Sequence, residues 1–286
     1  MTKRLATTVA VGLASIFLAA PAPGGVIYYT AESASGWAHL YSIDTDSARI
    51  ADRGELHGQR YVTDLAFDYG GALYGVGWAN GSANGTAKLY EIVPGDADTA
   101  ADWAIETVHA NRMERSVNAA EIGPDGLFVA SVSGTLQQLL YDGDRDRWKV
   151  VASGPMGMAS DGDLAFGDDG TLYAAVGGGK IATVNYDALS EDFGQAMVLF
   201  DTSARALFGL AFSEGELFGF TNPAGNYGRS SLVRIDLGTG AFAEVASLDV
   251  AVWGAAAGPG NAVVPEPGAM ALLAVGGLAC LARRRR

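Results

Sequence analysis

The chain has 286 residues, of which 49% are apolar and 18% charged, so it can bury a sizeable core and is not a disordered polymer. Its formal net charge is −13, and the two ends hold six of its basic residues and one of its acids, which leaves −18 on the body between them. A surface of that sign excludes nucleic acid as a partner, because a phosphate backbone needs a basic face, and it suits a soluble exported domain.

Residues 1–25 read as a signal peptide. Lys3 and Arg4 give a positive start, Leu5 to Ala20 is apolar or small, and Ala19-Ala20-Pro21-Ala22-Pro23-Gly24-Gly25 is a cleavage-like stretch. The apolar run is short for a retained membrane helix. Cleavage is expected near residues 20–25, and the partner implied is the export machinery. The sole cysteine, Cys280, lies in the C-terminal apolar run, so no disulfide braces the body.

Residues 26–260 form a repeat. Thr63-Asp64-Leu65-Ala66-Phe67-Asp68-Tyr69-Gly70-Gly71-Ala72-Leu73-Tyr74 sets the pattern, and it returns from Asn118 to Phe128, Gly162 to Tyr173 and Phe208 to Phe218. In each copy a small apolar strand meets an acidic, Gly-containing turn, and a second strand begins with Leu and an aromatic residue. That is hairpin grammar. A third strand follows (Lys88–Ile92, Leu136–Tyr141, Ile181–Tyr186, Leu232–Asp236), then a fourth (Trp103–Val108, Trp148–Val151, Ala196–Phe200, Phe242–Ala246). Four strands in about 45–55 residues is the pattern of a propeller blade.

The body opens on Val26–Tyr29, His39–Asp44 and Ala48–Ile50, which match strands two, three and four of a blade, and it ends on Val250–Ala256, which matches strand one. The last strand is therefore expected to complete the first blade and close the ring, removing an edge. The fold class expected is an all-β, five-bladed β-propeller, with six blades, a β-sandwich or a β-solenoid as alternatives.

The histidines, His39, His57 and His109, fall on or near outer strands of different units, which argues against a shared metal site. No nucleophile elbow or metalloprotease helix motif is present. Gly177-Gly178-Gly179-Lys180 lacks the rest of a phosphate loop and reads as a bend. Asp142-Gly143-Asp144-Arg145-Asp146 starts like a calcium loop, but Arg147 stands where the turn Gly belongs. Asp44 and Asp236 in the same slot read as turn caps. Asp64 and Asp163 occupy matching inner-strand positions and are the candidates for a metal in a central channel. Two carboxylates from non-adjacent blades are few for a hard cation, and the reading preferred is a cap on backbone amides. No cofactor is expected. Asn84-Gly85-Thr86 is a glycosylation sequon only in form. Trp78 and Tyr227 are aromatics that can stack on a sugar or pack between blades.

Residues 261–286 form a three-part tail. Pro265-Glu266-Pro267 is an extended handle, because proline joins neither ladder nor helix interior. Residues 269–282 are apolar throughout and form the expected membrane segment, and Arg283, Arg284, Arg285 and Arg286 form a cytoplasmic stop. This order resembles the PEP-CTERM sorting domain of Gram-negative bacteria, over about the last 23 residues. The resemblance implies recognition of Pro265, Glu266 and Pro267 by exosortase, an integral-membrane cysteine protease-transpeptidase that removes the anchor. It also implies export across the inner membrane, a membrane-anchored precursor and then a cell-surface or extracellular product, with extracellular polysaccharide as a partner. The function expected is a non-enzymatic surface or matrix protein whose propeller presents binding loops. The alternative is a metal-dependent propeller hydrolase or lyase using Asp64 and Asp163.

Overall fold

A computed structural model describes residues 25–258, apart from 33–35, 58, 79–85, 95–102, 109, 203–205 and 223–227. The segments read as signal peptide and sorting tail lie outside the described residues, except Gly25. No helix occurs among the described residues, and strands account for the fold.

Blade one holds β1 (Val26–Glu32), β2 (Ala38–Asp44) and β3 (Ile50–His57). Blade two holds β4 (Val62–Phe67), β5 (Leu73–Trp78), β6 (Ala87–Pro94) and β7 (Trp103–Val108). The short β8 (Ala110–Asn111) precedes blade three, which holds β9 (Val117–Gly123), β10 (Gly126–Ser131), β11 (Thr135–Asp142) and β12 (Arg147–Pro155). Blade four holds β13 (Ser160–Phe166), β14 (Leu172–Val176), β15 (Lys180–Val184) and β16 (Ala196–Asp201). Blade five holds β17 (Ala206–Ser213), β18 (Glu216–Asn222), β19 (Ser230–Ile235) and β20 (Phe242–Leu248). The last strand, β21 (Val252–Ala257), pairs antiparallel with β1, Tyr28 opposite Ala256 and Tyr29 opposite Ala255. The C-terminal strand thus completes the N-terminal blade, and the body is a closed five-bladed β-propeller.

Local chemistry explains the hairpins. The β17–β18 turn is two residues, Glu214 and Gly215, both with positive φ (54° and 80°), the twist a tight hairpin needs. At the matching turn of blade two, Asp68 Oδ1 accepts from Ala72 N at 2.7 Å. The caps expected between third and fourth strands are present. Asp44 Oδ1 accepts from Ser47 N at 2.8 Å, and Asp236 Oδ1 accepts from Gly238 N and Thr239 N at 2.8 Å.

One strand differs from expectation. The outer strand of blade one runs Ile50–His57, whereas Ala48–Ile50 had been assigned to it. Ala48 has φ 55° and belongs to the turn, and the true strand is polar on its open side, so it lacks the apolar run that marks an inner strand. Two short parallel pairings also have no counterpart in the repeat. Leu56 and His57 pair with Trp103 and Ala104, joining the outer edges of blades one and two, and β8 pairs with β12. Both cover outer edges that would otherwise offer unpaired amides.

The core is five seams between blades, one apolar cluster in each. Each seam carries an aromatic pair: Tyr28–Phe67, Tyr74–Trp148, Phe128–Phe166, Tyr173–Phe212 and Phe220–Tyr29, with ring centroids 5.1–6.1 Å apart. Such a pair adds about 0.5–1.5 kcal/mol beyond its buried area. Towards the axis the residues shrink. A Cβ on Gly254 of β21 would strike the backbone of Thr63 and Asp64 on β4 and lie 2.7 Å from Asp64 Oδ1.

Gly254→Ala is therefore expected to destabilise the body by about 1–3 kcal/mol, the usual range for overpacking a close contact. Gly143→Ala, whose Cβ would meet only Tyr141 Cε1 at 3.7 Å, is expected to be near neutral. Urea unfolding of both variants checks the contrast.

Candidate functional site

At the ring centre every inner strand presents an edge amide that no neighbouring strand can pair. Five of these, one per blade, converge on two side chains. Asp64 Oδ1 accepts from Leu65 N at 2.8 Å and Ala255 N at 3.2 Å, and Asp64 Oδ2 accepts from Ala120 N at 2.7 Å. Asp163 Oδ1 accepts from Leu164 N at 2.7 Å, and Asp163 Oδ2 accepts from Leu210 N at 2.6 Å and Ala255 N at 3.1 Å. The amides of Leu65, Ala120, Leu164, Leu210 and Ala255 belong to β4, β9, β13, β17 and β21. The residue before each amide is Asp64, Ala119, Asp163, Gly209 or Gly254. Two positions supply the carboxyls, and the other three are small enough to admit them.

Both aspartates are fully buried, and they hydrogen-bond to each other. Burial pushes both carboxyls well above the usual carboxylate range, and the charge of Asp163 adds to the effect on Asp64. Two full charges at this depth with no cation beside them are prohibitive, so the pair retains a proton, as close carboxyl pairs do. Glu121 on β9 is a third acid near the axis. Burial, with the charge of Asp163, raises its carboxyl as well.

The sequence had singled out Asp64 and Asp163 but neither their contact with each other nor Glu121. Repeat alignment marks equivalence within blades, and it carries no information on which blades face one another across the axis.

The remaining candidates separate. Among the described residues no group of three or more His, Cys, Asp or Glu can hold a metal ion. His39 and His57 both belong to blade one rather than to different units, and His39 Nε2 lies 2.6 Å from Asp52 Oδ1. His109 lies outside the described residues. In the calcium-like turn, Arg145 and Arg147 approach Asp142 at 3.8 and 4.0 Å, and Tyr141 Oη donates to Asp146 at 2.6 Å. The Gly177–Gly179 bend does form an amide nest, but it is filled from within: Asp161 Oδ2 accepts from Gly178 N at 2.6 Å and Gly179 N at 2.8 Å. Trp78 packs between blades, its Nε1 donating to Val117 O at 2.8 Å. Tyr227 lies outside the described residues, as do Pro265, Glu266, Pro267 and Arg283 to Arg286.

Two open clefts occur where the seams widen. One, of about 520 Å³ between blades two and three, is walled by Tyr74, Tyr141 and Trp148 with Glu91 and Glu106 at its rim. The other, of about 940 Å³ between blades three and four, is lined by β11, β12 and residues 184–189. Neither carries a sequence motif, since its residues come from separate blades.

Residues 263–286 match the family model of the PEP-CTERM protein-sorting motif. No curated protein matches the chain. Among solved structures, it is similar to a protein from Lactobacillus plantarum (18% identity, 79% of this chain and 67% of that one, TM-score 0.41). It is also similar to the periplasmic gluconolactonase of Pseudomonas aeruginosa (15% identity, 79% and 68%, TM-score 0.44) and to a chain of a nidogen–laminin complex (12% identity, 82% and 98%, TM-score 0.44). Likenesses of this order carry nothing about activity.

Asp163→Ala removes an acceptor from buried amides of three blades and is expected to cost about 3–5 kcal/mol. The folded pair keeps a proton above the ordinary Asp value of 3.8, where the unfolded chain releases it. Wild-type stability should therefore fall as pH rises from about 4 through the folded pair's titration, then level off. Urea midpoints across that range check both the loss in the variant and the sign of the slope.

Proposed function

We propose that this chain, which carries a PEP-CTERM sorting tail at residues 263–286, is an exported, non-enzymatic surface or matrix protein. An exosortase-type enzyme processes it, and its propeller presents binding surfaces. The observation that carries the reading is the tail match, since that motif implies a membrane-held precursor handed to a processing enzyme outside the inner membrane. In this reading Pro265, Glu266 and Pro267 are the recognised handle, residues 269–282 the anchor and Arg283 to Arg286 the stop. The partners are the export machinery, the processing enzyme and a ligand outside the cell, with extracellular polysaccharide the ligand class favoured.

The non-enzymatic part is supported by the ring centre. A hydrolase using Asp64 and Asp163 needs those carboxyls to face a reacting group or an ion. Here their four oxygens accept from five backbone amides and the two groups share a proton, so binding an ion would strip acceptors from all five blades.

Replacing Pro265 and Pro267 together by Ala is expected to leave the full-length precursor in the membrane fraction, where the wild type is shortened at its C-terminus and released to the surface. Immunoblots of fractionated cells check this, and normal shortening of the variant would count against the reading. Metal analysis of the purified wild-type protein is expected to find no stoichiometric ion. One tightly held calcium or transition metal per chain, lost in Asp163→Ala, would instead favour the enzyme.

A further inference from the structure

The seam between blades three and four is closed near the axis by Phe128, Phe166 and Tyr186, whose rings lie 5.1–5.6 Å apart. Further out the two blades part and leave the cleft of about 940 Å³. Its walls expose apolar side chains that a closed seam would bury: Leu140 is 44% exposed, Val151 46% and Leu189 95%. Its inner part includes Gln138 of β11, which is only 5% exposed. Gln138 Nε2 donates to Asp125 O at 2.7 Å, which fixes the amide, and Gln138 Oε1 is left buried with no partner. Leaving such an acceptor unpaired costs about 1–3 kcal/mol, so an unpaired one beside a cleft calls for a donor.

The cleft is held in shape before any ligand arrives. Gly194 N donates to Asn185 O at 2.7 Å, Asn185 Nδ2 to Ser190 Oγ at 3.1 Å, and Leu189 N to Asp187 Oδ1 at 2.9 Å. Tyr186 Oη donates to Gly170 O at 2.8 Å. These bonds also use up the donors. The side-chain N–H groups of Gln138 and Asn185 and the hydroxyl of Tyr186 are engaged, and no Lys, Arg or His lines the cleft. What remains free is acceptor: Gln138 Oε1 inside, and the exposed Asp125 and Asp187 carboxylates at the rim. A partner must therefore bring several donors and an apolar face, and must not bring negative charge to a body of −18. A peptide fits poorly, because its carbonyls would find no donor. Tyr69, 57% exposed on the first turn of blade two, offers a ring face nearby; burial and the charges of Glu121 and Asp125 raise its hydroxyl.

We infer that the cleft between blades three and four is a binding site for an uncharged saccharide. Hydroxyls donate to Gln138 Oε1 and to the carboxylates of Asp125 and Asp187, and the C–H faces of the sugar ring lie on Leu140, Val151 and Leu189. Uronic-acid and sulfated glycans are excluded by the same rim charges. This deepens the binding part of the proposed function and rests on it.

The test uses the full-length chain in a non-glycosidic detergent. It is titrated calorimetrically with neutral cello-, laminari-, manno- and dextran-type oligosaccharides, and with oligogalacturonate as the anionic arm. At least one neutral oligosaccharide is expected to bind at about 1 mM or tighter. Leu189→Asp, at a position too exposed to disturb folding, should weaken it at least about 10-fold by placing a charge on the apolar wall. Gln138→Met, which keeps the volume and removes the acceptor, should weaken it about 3-fold or more. Oligogalacturonate should not bind. The inference is overturned if no neutral saccharide binds at about 10 mM, if Leu189→Asp binds as the wild type does, or if oligogalacturonate binds more tightly. Each of these leaves the C-terminal processing of the precursor, read separately by immunoblot, unaffected.

Discussion

Five backbone amides, one from each blade, end on two aspartates that share a proton. A closed ring of sheets needs this arrangement because each inner strand has a partner on only one side. Its other edge carries amides that water cannot reach in a ring so narrow. Five carboxyls would not fit and would bring five charges. Two fit because Ala119, Gly209 and Gly254 leave room, and Ala255 N can be shared between them at 3.1 and 3.2 Å. The amide dipoles pointing at the pair stabilise the remaining charge, and the proton removes the other. Acid groups that would suggest chemistry in a sequence here serve closure.

The rest of the body follows outward from that centre. Adjacent inner strands are stitched further by side chains. Thr30 Oγ1 donates to Val62 O at 2.9 Å between blades one and two, Asn118 Nδ2 to Ser160 O at 3.1 Å between blades three and four, and Val252 N to Ser230 Oγ at 2.9 Å between blades five and one. Beyond these lie the five apolar clusters with their aromatic pairs. Such a body stands without disulfides, and its only cysteine is outside it. Because the axis is filled, recognition is left to the places where the seams open outward. The same division explains the charge pattern: acids inside are neutralised by sharing a proton, and acids outside give a soluble surface and set which ligands can approach.

Much of this was legible in the residues. The Leu-aromatic start of each second strand, the Gly in each acidic turn and the split first blade state the propeller and its closure directly, because each reflects a local rule of turn geometry or edge pairing. What was not legible was long-range or polar. The outer strand Ile50–His57 follows no apolar run, so the eye settled on Ala48–Ile50, and a two-residue strand such as Ala110–Asn111 lies below any periodicity. Asp64 and Asp163 stood out by position, yet their meeting across the axis depends on how five sheets are arranged. Gln138 and Leu189 join in one cleft only because blade four's outer loop folds back beside blade three. The tail needed no structure, since its handle, apolar run and arginine stop are consecutive.

Amide hydrogen exchange at the ring centre tests the central claim most directly. If the aspartate pair holds the inner edges, the amides of Leu65, Ala120, Leu164, Leu210 and Ala255 exchange only on global unfolding and form one protection class with a common opening free energy. Exchange of those five at the rates of exposed turn amides such as Asp46 or Gly238, while the blade interiors stay protected, would contradict it.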